Sequence, residues 1–91
     1  AVFVLEAGKA LARDAFLSFL NSNGYVRVGK AMEAGEYAVR GSIIDLIPPG
    51  DEEGLRIDLF GDDIESLRRF DPMTQGSSGS EARVVLKPMS E

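Results

Sequence analysis

The sequence predicts an α+β domain in which one main helix packs on a bent, mostly antiparallel sheet. Three observations predict it. Only Ala10 to Asn23 carries apolar residues at helical spacing. From Tyr25 to Phe70 several short runs alternate apolar and polar residues with a period of two. The connections between those runs are short and suit hairpins better than βαβ crossovers.

Taken in order, Ala1 to Leu5 is a short apolar run rich in β-branched and aromatic residues, as in a buried strand. Ala10 to Asn23 follows as the helix, starting near Arg13. Its apolar stripe is Ala12, Ala15, Phe16, Phe19 and Leu20, with Leu17 on the border. Asp14 suits the first turn, and Asn21-Ser22-Asn23-Gly24 reads as the stop.

Tyr25 to Met32 alternates, with Val26 and Val28 on one side and Tyr25 and Arg27 on the other. Glu33-Ala34-Gly35 turns the chain. Tyr37 and Val39 then share a face opposite Glu36, Ala38 and Arg40. Gly41 interrupts the pattern as a bulge or bend would. Ile43 to Ile47 continues the strand, with Asp45 its only charge, and Pro48-Pro49-Gly50 ends it.

Asp51 to Gly54 reads as a solvated loop. Leu55, Ile57 and Leu59 form the next apolar face, and Gly61-Asp62 is a tight-turn candidate. Ile64 to Phe70 returns as a strand, with a short helix over Asp62 to Arg69 as the alternative. Gln75 to Ser80 has the composition of a flexible linker. Val84-Val85-Leu86 is a final strand within Arg83 to Pro88.

Composition narrows the function. A chain of 91 residues is one domain, and at this size it buries about 60–65% of its extended surface, enough for a single core. Apolar residues make up 44% and charged residues 27%, which suits a folded domain. A net charge of −5 argues against nonspecific duplex or membrane-surface binding. With no Cys and no His, disulfides, thiolate or imidazole metal sites, and Cys-His or Ser-His nucleophile pairs cannot form. No cofactor or metal is expected. The opening AVFVLEAGKA has no basic n-region or long apolar core, and it starts without Met. A piece of a longer protein is the expectation.

Two motifs fail on inspection. Ala7-Gly8-Lys9-Ala10 resembles the end of a phosphate-binding loop, but Phe3 stands where the first Gly belongs and Ala10 where Ser or Thr belongs. Asp62, Asp63 and Glu65 cluster at a turn without a calcium-loop spacing, so solvated turn carboxylates explain them better than a metal site.

A third feature stays open. The alternation puts Arg27, Arg40 and Arg56 on one face together with Asp58 and Tyr25, away from Val28, Val39 and Ile57. That face is either solvated, with cross-strand Arg–Asp pairs contributing at most about 1 kcal/mol, or a protein-docking surface that exploits arginine's bidentate fork.

Tyr25-Val26-Arg27-Val28, GEYAVRGSIIDLIPPG from Gly35 to Gly50, and LRIDLFGDDIESLRRFDPMTQ from Leu55 to Gln75 resemble the UvrA-interaction domain shared by UvrB and the transcription-repair coupling factor. The resemblance covers Gly24 to Gln75. Phe70-Asp71-Pro72-Met73-Thr74-Gln75 is similar to the coupling-factor form, and Ala38 stands where UvrB usually carries an Arg. Gly76 departs from the Arg often found there in the coupling factor.

The resemblance implies a domain that recruits UvrA in transcription-coupled nucleotide excision repair. The parent would be an ATP-driven translocase of the bacterial cytoplasm that removes stalled RNA polymerase. RNA polymerase and DNA would be contacted only through other domains of that parent, and no membrane would be involved. The fragment itself would be no enzyme, and other parts of the parent could cover its surface. By position Arg27, Arg40, Arg56 and Asp58 match the family's UvrA-contacting residues, with Asp58 orienting Arg40 or Arg56 or accepting an arginine of the partner. The alternatives are the homologous domain of UvrB and a structural spacer without its own partner.

Overall fold

The computed structural model describes residues 2–88. In chain order the elements are β1 (Phe3–Glu6), α1 (Arg13–Ser22), β2 (Val26–Arg27), β3 (Glu36–Arg40), β4 (Ile43–Leu46), β5 (Gly54–Phe60), β6 (Asp63–Phe70), β7 (Ser77–Glu81) and β8 (Arg83–Leu86). Strands β2 to β7 form one sheet in sequence order, and β1 pairs antiparallel with β8 in a separate ribbon. Every pair in the large sheet is antiparallel except β2 with β3. The class is α+β, and the helix, ten residues long, starts at Arg13 as its sequence suggests.

Helix α1 ends where the sequence demands. The Gly24 amide donates to Asn21 O and the Tyr25 amide to Leu20 O, the paired bonds of a Schellman cap. Phe16 and Leu20 are fully buried, while Ala12 and Ala15, expected in the stripe, are exposed. Phe16 and Phe19 pack instead on Phe3 of β1, with ring centroids 5.0 and 5.3 Å apart.

Leu5 is the one fully buried residue of β1. Val2 and Val4 stay exposed, so the first strand is half-buried rather than buried; Ala1 of that expected strand lies outside the described residues. The segment that resembled a phosphate-binding loop runs beside β6. Gly8 N donates to Ile64 O and Ile64 N to Lys9 O.

The main core lies between α1, the β1–β8 ribbon and one face of the large sheet. Tyr37, Ile44, Leu46, Leu55, Ile57 and Leu67 line that face. Each pairs across the ladder with another of the set, for example Ile44 with Ile57 and Ile57 with Leu67.

Three sequence expectations need correction. Gly41 is the corner of a hairpin, and β4 folds back on β3 instead of continuing it. Gly41 has φ +60° and Gly61, at the β5–β6 corner, φ +62°. A glycine with positive φ at the first of two turn residues is the type II′ arrangement that matches strand twist. Next, Tyr25 does not join the arginines: it is 5% exposed in the main core. Last, the linker-like stretch from Gln75 to Ser80 contains most of β7, an edge strand paired with β6 from Leu67 to Phe70. Backbone amides in a Ser-Gly run pair as readily as others once β6 offers an open edge, and polar side chains suit an edge that must not recruit another chain.

Burial, reinforced by the negative charge of Asp51, pushes the Tyr25 phenol up to about 12 from its ordinary 10.0. The folded state therefore holds this proton more tightly than the unfolded chain. The associated stability is complete below about pH 10 and is lost as pH rises through about 12, a loss of about 2–3 kcal/mol. Tyr25→Phe should flatten the fall in unfolding free energy between pH 10 and 12 relative to the parent, as measured by urea titration across that range.

Candidate functional site

The second face of the large sheet is polar in the middle and carries a small core at one side. Ala38 pairs with Asp45, Asp45 with Arg56, Arg56 with Arg68, and Arg68 with Ser80. These residues form one cross-strand row. The next row holds Arg40, Ile43, Asp58 and Ser66. On the other side Ala31, Ala38, Ile47 and Phe70 are buried together. Phe70 pairs with Gly54, where a Cβ would overlap the aromatic ring.

Asp45 organises the row. It is 1% exposed in an otherwise apolar strand, a position that a carboxylate occupies only when it is paired. Arg56 meets it with both prongs of the guanidinium, Nε to Oδ1 at 2.8 Å and Nη2 to Oδ2 at 3.1 Å. Arg40 Nη2 reaches the same Oδ2 at 3.0 Å, and its side chain remains 51% exposed.

Arg56 is held from every side. Its guanidinium lies 4.6 Å from the Phe70 ring centroid, and Nη1 donates to the Gln75 carbonyl at 2.9 Å. Gln75 aims that carbonyl from an unusual backbone, φ 68°. Its side-chain amide is tied to Ala31 O and Pro72 O. Gly29, Lys30, Arg40, Arg56 and Gln75 line a shallow basic cleft.

The four predicted site residues thus separate. Arg40, Arg56 and Asp58 share this face, as alternation requires. Arg27 does not: it registers with Tyr37, which points into the main core, and it sits exposed at the edge of the helix side. Strand β2 joins β3 in parallel across a loop, so its phase cannot be extrapolated from β3. Arg56 is not a solvated arginine, since its side chain is 10% exposed. Asp58 orients neither Arg40 nor Arg56. Its neighbour is Arg68, at 3.6 Å, and the orienting carboxylate is Asp45.

Sequence reasoning overlooked Asp45, Gln75 and Phe60. The signal for Asp45 was a lone charge in an apolar strand. Phe60, two residues beyond Asp58 on the same side of β5, is 77% exposed at the hairpin end. No local pattern marks Gln75.

One face in a core and the other carrying a fixed arginine–carboxylate lattice with an exposed aromatic at its end define a small sheet-based interaction module. The family model described as the UvrB interaction domain matches residues 3–91, and the chain belongs to that family. It is 43% identical over 88 residues to the transcription-repair-coupling factor of Escherichia coli (strain K12), covering 97% of this chain and 8% of that protein. It is 37% identical over 89 residues to the UvrABC system protein B of Thermosipho africanus, covering 98% of this chain and 14% of that protein. Against the transcription-repair-coupling factor of Haemophilus influenzae, identity is 38% over 90 residues, covering 99% of this chain and 8% of that protein. The chain therefore spans a small part of each relative's length.

Proposed function

We propose that this chain is a protein-docking domain for UvrA, serving nucleotide excision repair as part of a transcription-repair coupling factor. The observation that carries the reading is the Asp45 bridge. A buried carboxylate fixes Arg56 in place and leaves Arg40 half-exposed, aimed over a cleft that Lys30 also lines. A cation held in advance loses little side-chain freedom on binding, which favours specific recognition of a carboxylate. Phe60 supplies the aromatic anchor that interfaces favour near such charges.

The coupling-factor parent is favoured by the segment Phe70 to Gln75 and by the 43% identity to a protein of that name. A UvrB parent is the second reading, favoured by the 37% identity to a UvrABC system protein B. In either parent, ATP hydrolysis and DNA contact belong to other domains, as does polymerase contact in the coupling factor; the setting is the cytoplasm, and this domain supplies the UvrA contact.

The test is competition. The purified domain is expected to bind UvrA at moderate salt, and an isolated interaction domain from a UvrB protein should displace it. Failure of the domain to bind would put the structural-spacer reading ahead. Binding without displacement would mean a contact unlike that of the UvrB relatives.

A further inference from the structure

Among the described residues, Arg68 carries a buried polar side-chain atom on this face that the domain leaves without a hydrogen-bond partner. It lies directly across from Arg56 on the neighbouring strand, where like charges repel. Arg56 is neutralised by Asp45 through two short bonds. Among the described residues Arg68 has only Asp58, with Nη2 to Oδ2 at 3.6 Å, beyond good hydrogen-bond length. Its Nε is shut off from solvent and has no acceptor among the described residues. A buried N–H without a partner is unfavourable, and such groups are few in folded proteins. The Arg68 side chain is nevertheless 38% exposed and Asp58 29% exposed, so both can reach a partner.

Across the two central rows the arginines 40, 56 and 68 face the carboxylates 45 and 58, three against two, in a chain whose net charge is −5. Within these two rows the excess is positive, and the least satisfied of the three carries it.

We infer that Arg68 is a partner-reading residue: on docking, its guanidinium turns from Asp58 to a carboxylate side chain of the partner, which supplies the acceptor that the free domain lacks. This rests on the UvrA-docking reading and names a contact within it that the resemblance did not supply. Arginine's fork suits such a carboxylate better than a lysine would.

The test titrates purified UvrA with the intact domain and with R68M, R68K and R40E, after circular dichroism has established that each is folded. R68M keeps the aliphatic stem and its packing while removing the guanidinium. It is expected to bind at least tenfold more weakly, with a shallower dependence of affinity on salt. R68K should recover only part of the loss. R68M binding within twofold of the parent while R40E binds poorly would overturn the role of Arg68 and leave the docking reading standing. Absence of binding by the parent domain would overturn both.

Discussion

Replacing Asp45 by alanine is expected to destabilise the domain by about 3–5 kcal/mol, because it strands a buried arginine. The Arg56 guanidinium would lose two of its hydrogen bonds and its neutralising charge while remaining beneath Gln75 and against Phe70. It cannot escape to water without opening the cluster of Ala31, Ala38, Ile47 and Phe70. In a domain of this size each kcal/mol lowers Tm by about 4–8 °C, so D45A should melt well over 10 °C below the parent or fail to fold. Replacing both partners by apolar residues, as in D45L with R56M, should recover much of the loss, since the cost lies in the unpaired charge. Urea unfolding of the three proteins checks this. A loss below about 1 kcal/mol for D45A would mean that the bridge is incidental to the fold.

Reversing Arg40 is expected to act on binding and leave the fold intact. Its side chain is half-exposed and its bond to Asp45 is secondary to the Arg56 fork. The stability lost on removing it should stay within about 1 kcal/mol. The same residue lies with Lys30 on the basic cleft, where, in the proposed docking, a partner carboxylate would become desolvated. Truncating one side of such a pair costs about 2–5 kcal/mol, and 1.4 kcal/mol is about tenfold in affinity. R40E should therefore weaken UvrA binding by about 30-fold or more. Arg56→Glu is unsuitable for this purpose, since it would place two carboxylates together in a buried site.

The strands and the helix were legible because their apolar residues fall at the right period against a single large core. What misled was the second core. Ile43, Ile47 and Phe70 lie on the polar side of the sheet, so the run from Ile43 to Ile47 looked like one continuing strand and hid the hairpin at Gly41. Alternation places residues correctly only within a continuous ladder. It carried Arg40, Arg56 and Asp58 to one face and failed for Arg27, which lies on a parallel strand joined through a loop, and for Tyr25 just before that strand. It also fixes the side of the sheet and not the depth of burial. Arg56 looked solvated because nothing local says that the Gln75 backbone folds over it. The serines of β7 read as a linker because backbone pairing leaves no compositional mark.

The measurement that tests the central claim most directly is a calorimetric titration of purified UvrA with the parent domain and with R40E, both established as folded. Binding by the parent and loss of about 30-fold or more by R40E is the predicted result. Equal affinity of the two folded proteins would contradict the claim that the Asp45-anchored arginine face is the docking surface.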